Sequence, residues 1–223
     1  MSLLYDFICG SMAGISQILV GHPFDTLKVL KQNHKTISIS TLNLKPLYRG
    51  AMYPLPQSII CNGLVFPINN NLKQYSDNSL LTGFISGVIV TPVVFFFDIG
   101  KTKSQLQLKF NINNYIKTSG LLSTLYRESL AFSIYFYTYE KCRDYNLNIM
   151  MSGAMSGITN WTLTYPLDVI RNRQIAYNIS MKEAFNQGSL WSGYRLCIIR
   201  AIFTNASVFY TYETCKNLLH YNK

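Results

Sequence analysis

Three aspartates, Asp25, Asp98 and Asp168, stand 73 and 70 residues apart in matching surroundings: HPFDTLKVLKQ from His22, FFFDIGKTKSQ from Phe95 and YPLDVIRNRQI from Tyr165. Other segments keep step with them. GSMAG, GFISG and GAMSG begin at Gly10, Gly83 and Gly153, and LYRG, KTSG and LWSG end at Gly50, Gly120 and Gly193. FYTYEKCR (136–143) and FYTYETCK (209–216) close the second and third units, with FPINNNLK (66–73) as the first unit's counterpart. Repeats of this kind are supersecondary units that bury their inner faces only by packing on one another. The chain is therefore expected to form one domain, 1–223, from units of approximately 1–76, 77–146 and 147–223.

The stretches between charges set the class. Phe7–Phe24, Ala51–Leu72, Asn78–Phe97 and Tyr145–Leu167 are uncharged, and each reaches the roughly 18 residues read as a membrane span. Thr118–Tyr139 and Leu196–Tyr212 would join them but for Arg127, Glu128 and Arg200 near their middles. Only 13% of residues are charged, against about 25% in a soluble domain. The net charge of +10 is spread thinly, which suits an anionic membrane surface and argues against nucleic acid as a partner. The expected fold is an all-α membrane protein of six transmembrane helices, near 4–31, 52–74, 79–107, 121–143, 148–174 and 194–218. These form three tandem two-helix repeats. The GxxxG segments are expected to let helices approach closely, and Pro23, Pro92 and Pro166 to kink the odd-numbered helices. Polar connectors at 33–47, 108–119 and 176–189 leave room for a small surface helix, with a capping box from Ser180 to Glu183.

With PFDTLK and PLDVIR, an aromatic-x-G segment and YEKCR or YETCK following in order, the chain resembles the mitochondrial carrier family over essentially its whole length. Its units are about 70 residues against roughly 100 in that family, and the shortening falls in the connectors. The resemblance implies a pseudo-threefold barrel around a water-accessible cavity, closed alternately at either end while a solute passes. It implies a matrix gate in which Asp25 pairs with Lys101, Asp98 with Arg171 and Asp168 with Lys28, braced by Gln32 and Gln105. The third copy has Ile175 at the brace position, with Gln174 one residue early, and Leu30 stands where Lys103 and Arg173 supply a second cation. A cytosolic gate would join Glu140 to Lys216 and Glu213 to Lys73, with Asn70 facing Arg143 in place of an acid.

Seven residues beyond Gly50, Gly120 and Gly193 stand Gln57, Arg127 and Arg200, and the resemblance implies that this level contacts solute. Charge inside a membrane is costly unless it faces a cavity or a partner. Two guanidiniums suit carboxylate or phosphate, and Glu128 beside one of them could hold an ammonium. Adjacent helical residues point about 100° apart, which argues against Arg127 and Glu128 neutralising each other. An Arg followed by an acid resembles the carriers of amino acids, carnitine and S-adenosylmethionine. The alternative is a nucleotide or deoxynucleotide carrier, and a second alternative is a membrane scaffold that transports nothing.

No nucleophile, base and orienter occur together and no phosphate-binding loop is present, so no enzyme is expected. The five Cys form no CxxC and the three His are scattered, so neither a metal nor another cofactor is expected. The N-terminus, MSLLYDFICG, reads without a cleavable leader. The resemblance implies the mitochondrial inner membrane, of the organism's own cell or of a host, with an exchanger working as a monomer and anionic lipid at the matrix-side helix ends. An even number of spans leaves both termini on one side, which the resemblance implies is the cytosolic, intermembrane side.

Overall fold

A computed structural model describes residues 2–35, 44–108 and 118–221. Every described element is helical: α1 (Ser2–Gln32), α2 (Leu44–Leu47), α3 (Pro54–Lys73), α4 (Ser79–Gln105), α5 (Leu121–Asp144), α6 (Ile149–Tyr177), α7 (Met181–Asn186) and α8 (Tyr194–Tyr221). Six of these are long, and their ends lie within three residues of those expected. Local chemistry accounts for the boundaries. Pro54 opens α3 at a position whose amide has no helical partner. The Asn78 side chain accepts from the Leu80 and Leu81 amides to start α4, and Asn148 accepts from the Met151 amide to start α6. Ser180 and Glu183 cap α7 reciprocally. Pro23, Pro92 and Pro166 all lie inside their helices.

The repeated glycine before each even-numbered long helix has a backbone reason. Gly50, Gly120 and Gly193 take φ of 80°, 117° and 85°, a region that costs little only without a side chain. Each also lies close to the odd helix of the next unit in cyclic order. A side-chain carbon on Gly50 would lie 3.0 Å from the Lys101 carbonyl, on Gly120 3.2 Å from Ile175, and on Gly193 3.3 Å from the Lys28 carbonyl.

Helix α4 packs along α5, α5 along α6, α3 along α4, and α8 returns to α1. Among the described residues the close approach expected of the three GxxxG segments occurs in the second. A Cβ on Gly87 would lie 2.5 Å from Ser129 Cα, and one on Gly83 2.6 Å from the Phe132 carbonyl, whereas Gly14, Gly153 and Gly157 have nothing within 4 Å. For the third segment the reason is the separation of its helices. There α6 and α8 meet through Tyr165, Val169 and Cys197, and above that contact they border a groove of about 410 Å³ lined by Gly153, Gly157 and Ile202.

Burial is inverted relative to a soluble domain. Ser86, Gln32, Asp168 and Arg173 are fully enclosed, while Ile59, Leu163, Ile202 and Leu122 are each more than half exposed. Apolar surface on this scale marks contact with another apolar phase. Among the described residues Ser79–Gln105 alone is long and apolar enough to span a membrane by its own composition. The other long helices carry polar side chains such as Thr124, Ser129, Ser152, Ser156 and Thr204 turned inward, and these lower their mean hydropathy without touching the outer face.

Candidate functional site

The three aspartates converge at one level of the helix assembly. Lys28 Nζ lies 2.7 Å from Asp168 Oδ2, Lys101 Nζ 2.9 Å from Asp25 Oδ2, and Arg171 Nη1 2.8 Å from Asp98 Oδ2. Each acid meets the cation of another unit, and the Pro–Asp spacing explains it. The three-residue step from Asp to Lys or Arg sets both on one helix face, so one unit offers its acid to one neighbour and its cation to the other.

Bracing is unequal. Gln32 Nε2 donates to Asp168 Oδ2 at 3.0 Å and to the Tyr165 hydroxyl at 3.2 Å, and its own carbonyl accepts from Asn172 at 2.7 Å. Gln105 does not reach the Asp25–Lys101 pair; its Nε2 donates to Thr26 Oγ1 at 3.2 Å. Thr26 in turn donates to the Leu47 carbonyl, which ties that contact to the first connector. Gln174 donates to the Ile179 carbonyl, away from the pairs. The second cations also differ from one another. Lys103 reaches Thr118 Oγ1. Arg173 is enclosed among the carbonyls of Gln32, Ala184 and Gly188, where its charge faces the C-terminal ends of α1 and α7.

Immediately beside the pairs is a cavity of about 390 Å³, at the small end of the roughly 300–1,000 Å³ usual for ligand sites. Gln57, Arg127, Glu128 and Arg200 all line it, together with the six paired residues. None of the four is isolated from those pairs. Gln57 Nε2 donates to Asp98 Oδ1 at 3.3 Å, Arg200 Nε lies 2.7 Å from Asp25 Oδ1, and Arg171 Nη1 lies 3.1 Å from Glu128 Oε1. Arg171 also holds Asp168 Oδ1 at 2.8 Å, so one guanidinium touches three carboxylates. Five cations and four acids line the cavity. The surplus falls on Arg200, which shares Asp25 with Lys101.

One expectation is corrected here. Arg127 does pair with Glu128, because its flexible stem carries the guanidinium round the helix to its neighbour's carboxylate. At the far end Lys73 pairs with Glu140, and Arg143 donates to the Leu147 carbonyl at 2.7 Å. The side chains of Asn70, Glu213 and Lys216 lie outside the described residues.

Trp161, which no motif singles out, also lines the cavity. Lys28 Nζ stands 4.6 Å from the centroid of its indole and Arg127 Cζ 4.9 Å. Its spacing of seven residues from Asp168 sets both on one helix face, a signal hidden by the uncharged run around it. Tyr165 and Asn172, which hold the Gln32 brace, were likewise missed; each is one turn or less from Asp168.

The sequence profile of the family described as "Mitochondrial carrier protein" matches residues 144–223. The chain is 28% identical to a mitochondrial basic amino acids transporter of Rattus norvegicus, covering 92% of this chain and 87% of the relative. It is 26% identical to a mitochondrial arginine transporter of Arabidopsis thaliana, covering 96% and 91%. A mitochondrial glycine transporter of Saccharomyces cerevisiae is 24% identical, again with 96% and 91% covered.

Proposed function

We propose that this chain is a member of the mitochondrial carrier family, to which its C-terminal part and its relatives are similar, and that it exchanges an amino-acid-like solute across the mitochondrial inner membrane by alternating access. It is a transporter and not an enzyme. In this reading six helices span the membrane as three related pairs, a single copy suffices, and both termini face the cytosolic side. The observation that carries it is the joining of Arg127, Glu128 and Arg200 to the three acid–cation pairs within one cavity.

The chemistry follows from what each group already holds. A solute carboxylate takes Arg200, the surplus cation, and competes with Asp25 for it. A solute ammonium takes Glu128 and competes with Arg171. Binding therefore breaks the Arg200–Asp25 and Glu128–Arg171 contacts that tie the solute level to the matrix gate, and only a solute carrying both charges breaks both. A ligand shifts such an equilibrium only by its differential affinity for the two states, and these exchanges supply that difference. The modest cavity volume favours a compact zwitterion over a nucleotide. The names of the relatives point to amino acids as well.

The test is uptake of labelled arginine, lysine, glycine and ATP by liposomes containing the purified chain and loaded with the same solutes. Amino-acid exchange is expected, with at least a tenfold fall in Arg200→Ala and in Glu128→Gln. Exchange of ATP alone would establish the nucleotide alternative, and no exchange of any solute would favour the scaffold.

A further inference from the structure

We propose that Trp161 is the cation shelf of the solute site: a guanidinium or ammonium on the solute's side chain takes Arg127's place over the indole. This inference rests on the amino-acid reading above and adds to it the residue that separates cationic from neutral solutes.

Without solute, the indole already serves two cations, Lys28 at 4.6 Å and Arg127 at 4.9 Å from its centroid. The two are not held alike. Lys28 is anchored by Asp168, itself braced by Gln32 and Asn172. Arg127 has Glu128, whose same oxygen is claimed by Arg171, and its own Nε is buried without a hydrogen-bond partner. Arg127 is thus the cation that a solute can displace. The incoming side-chain cation then has the indole face beneath it while Glu128 holds the ammonium next to the solute carboxylate, and the freed guanidinium of Arg127 can turn its fork onto that carboxylate. The ring stays where it is because Trp161 packs against the buried Tyr165, Val169 and Cys197. A preformed aromatic face binds a cation with little reorganisation, and Trp is the best of the aromatic residues at it.

Uptake of arginine, lysine and glycine by reconstituted liposomes is compared for the wild type, Trp161→Phe and Trp161→Leu. Trp161→Leu is expected to raise the KM for arginine and lysine by about 5- to 30-fold and the glycine KM by clearly less, and Trp161→Phe to restore part of the loss. The chain has two Trp, so in Trp191→Phe the emission reports Trp161 alone, and arginine is expected to change it saturably and more than glycine does. A parallel rise in KM for all three solutes, or unchanged arginine affinity in Trp161→Leu, overturns the shelf while leaving the amino-acid reading intact. If the wild type takes up none of the three, that reading fails and the shelf fails with it.

Discussion

Asp168 and Asp25 occupy equivalent places in the repeat and are not equivalent in energy. Asp168 is enclosed and bonded to Lys28, Arg171, Gln32 and Asn172, whereas Asp25 is partly open to the cavity and meets Lys101 and Arg200. Removing one partner of a buried charge pair costs about 3–5 kcal/mol because the other is left uncompensated. Asp168→Asn is therefore expected to lower Tm by about 6 °C or more, and Asp25→Asn by clearly less. Equal shifts in a thermal-unfolding series would refute this ranking. Of these residues, the acid and its cation were readable in the motif, since three in-phase copies leave little to chance. That Arg171 would gather three carboxylates was not, because it depends on the rotamer of one long side chain among neighbours from three helices.

Among the elements, the glycines on α4 and α6 make the sharpest contrast. Gly87 leaves no room for a methyl against α5, while Gly157 borders open space beside α8. Forcing a carbon into a packed contact costs about 1–3 kcal/mol. Gly87→Ala is expected to cut Tm by several degrees, and Gly157→Ala to leave it unchanged or raise it. A matching loss in both variants would mean that the groove between α6 and α8 is closed in the membrane. Helix ends followed from caps and breakers that act within a few residues, so they were legible. Which face of a helix finds a close neighbour is decided by tilt and separation, and GxxxG fixes neither.

Across the described residues of the whole molecule the ion pairs at the two ends differ in strength. The end that holds Asp25, Asp98 and Asp168 carries three cross-unit pairs in a largely enclosed network. At the other end the Lys73–Glu140 pair is 38% and 34% exposed, so it contributes about 0.2–1 kcal/mol. If the chain works as proposed, the aspartate end is expected to stay shut without solute. Glu140→Gln should move Tm by no more than a few degrees, whereas Arg171→Gln, which leaves Asp98 without a cation and takes one partner each from Asp168 and Glu128, should be far more damaging. Comparable losses would show the ends to be balanced.

The order of the helices and their lengths were written in the sequence, because a repeat carries the same local physics three times over, and the matching of each aspartate to the next unit's cation was implied by the family resemblance of the repeated motif. The departures from that symmetry belong to the tertiary structure. Gln32 bracing its acid while Gln105 turns to Thr26, Lys73 choosing Glu140, the opening between α6 and α8, and Trp161 facing two cations all depend on distances between helices that no single segment encodes. Those distances decide which polar groups meet inside a shared cavity, and with them the chemistry of the solute.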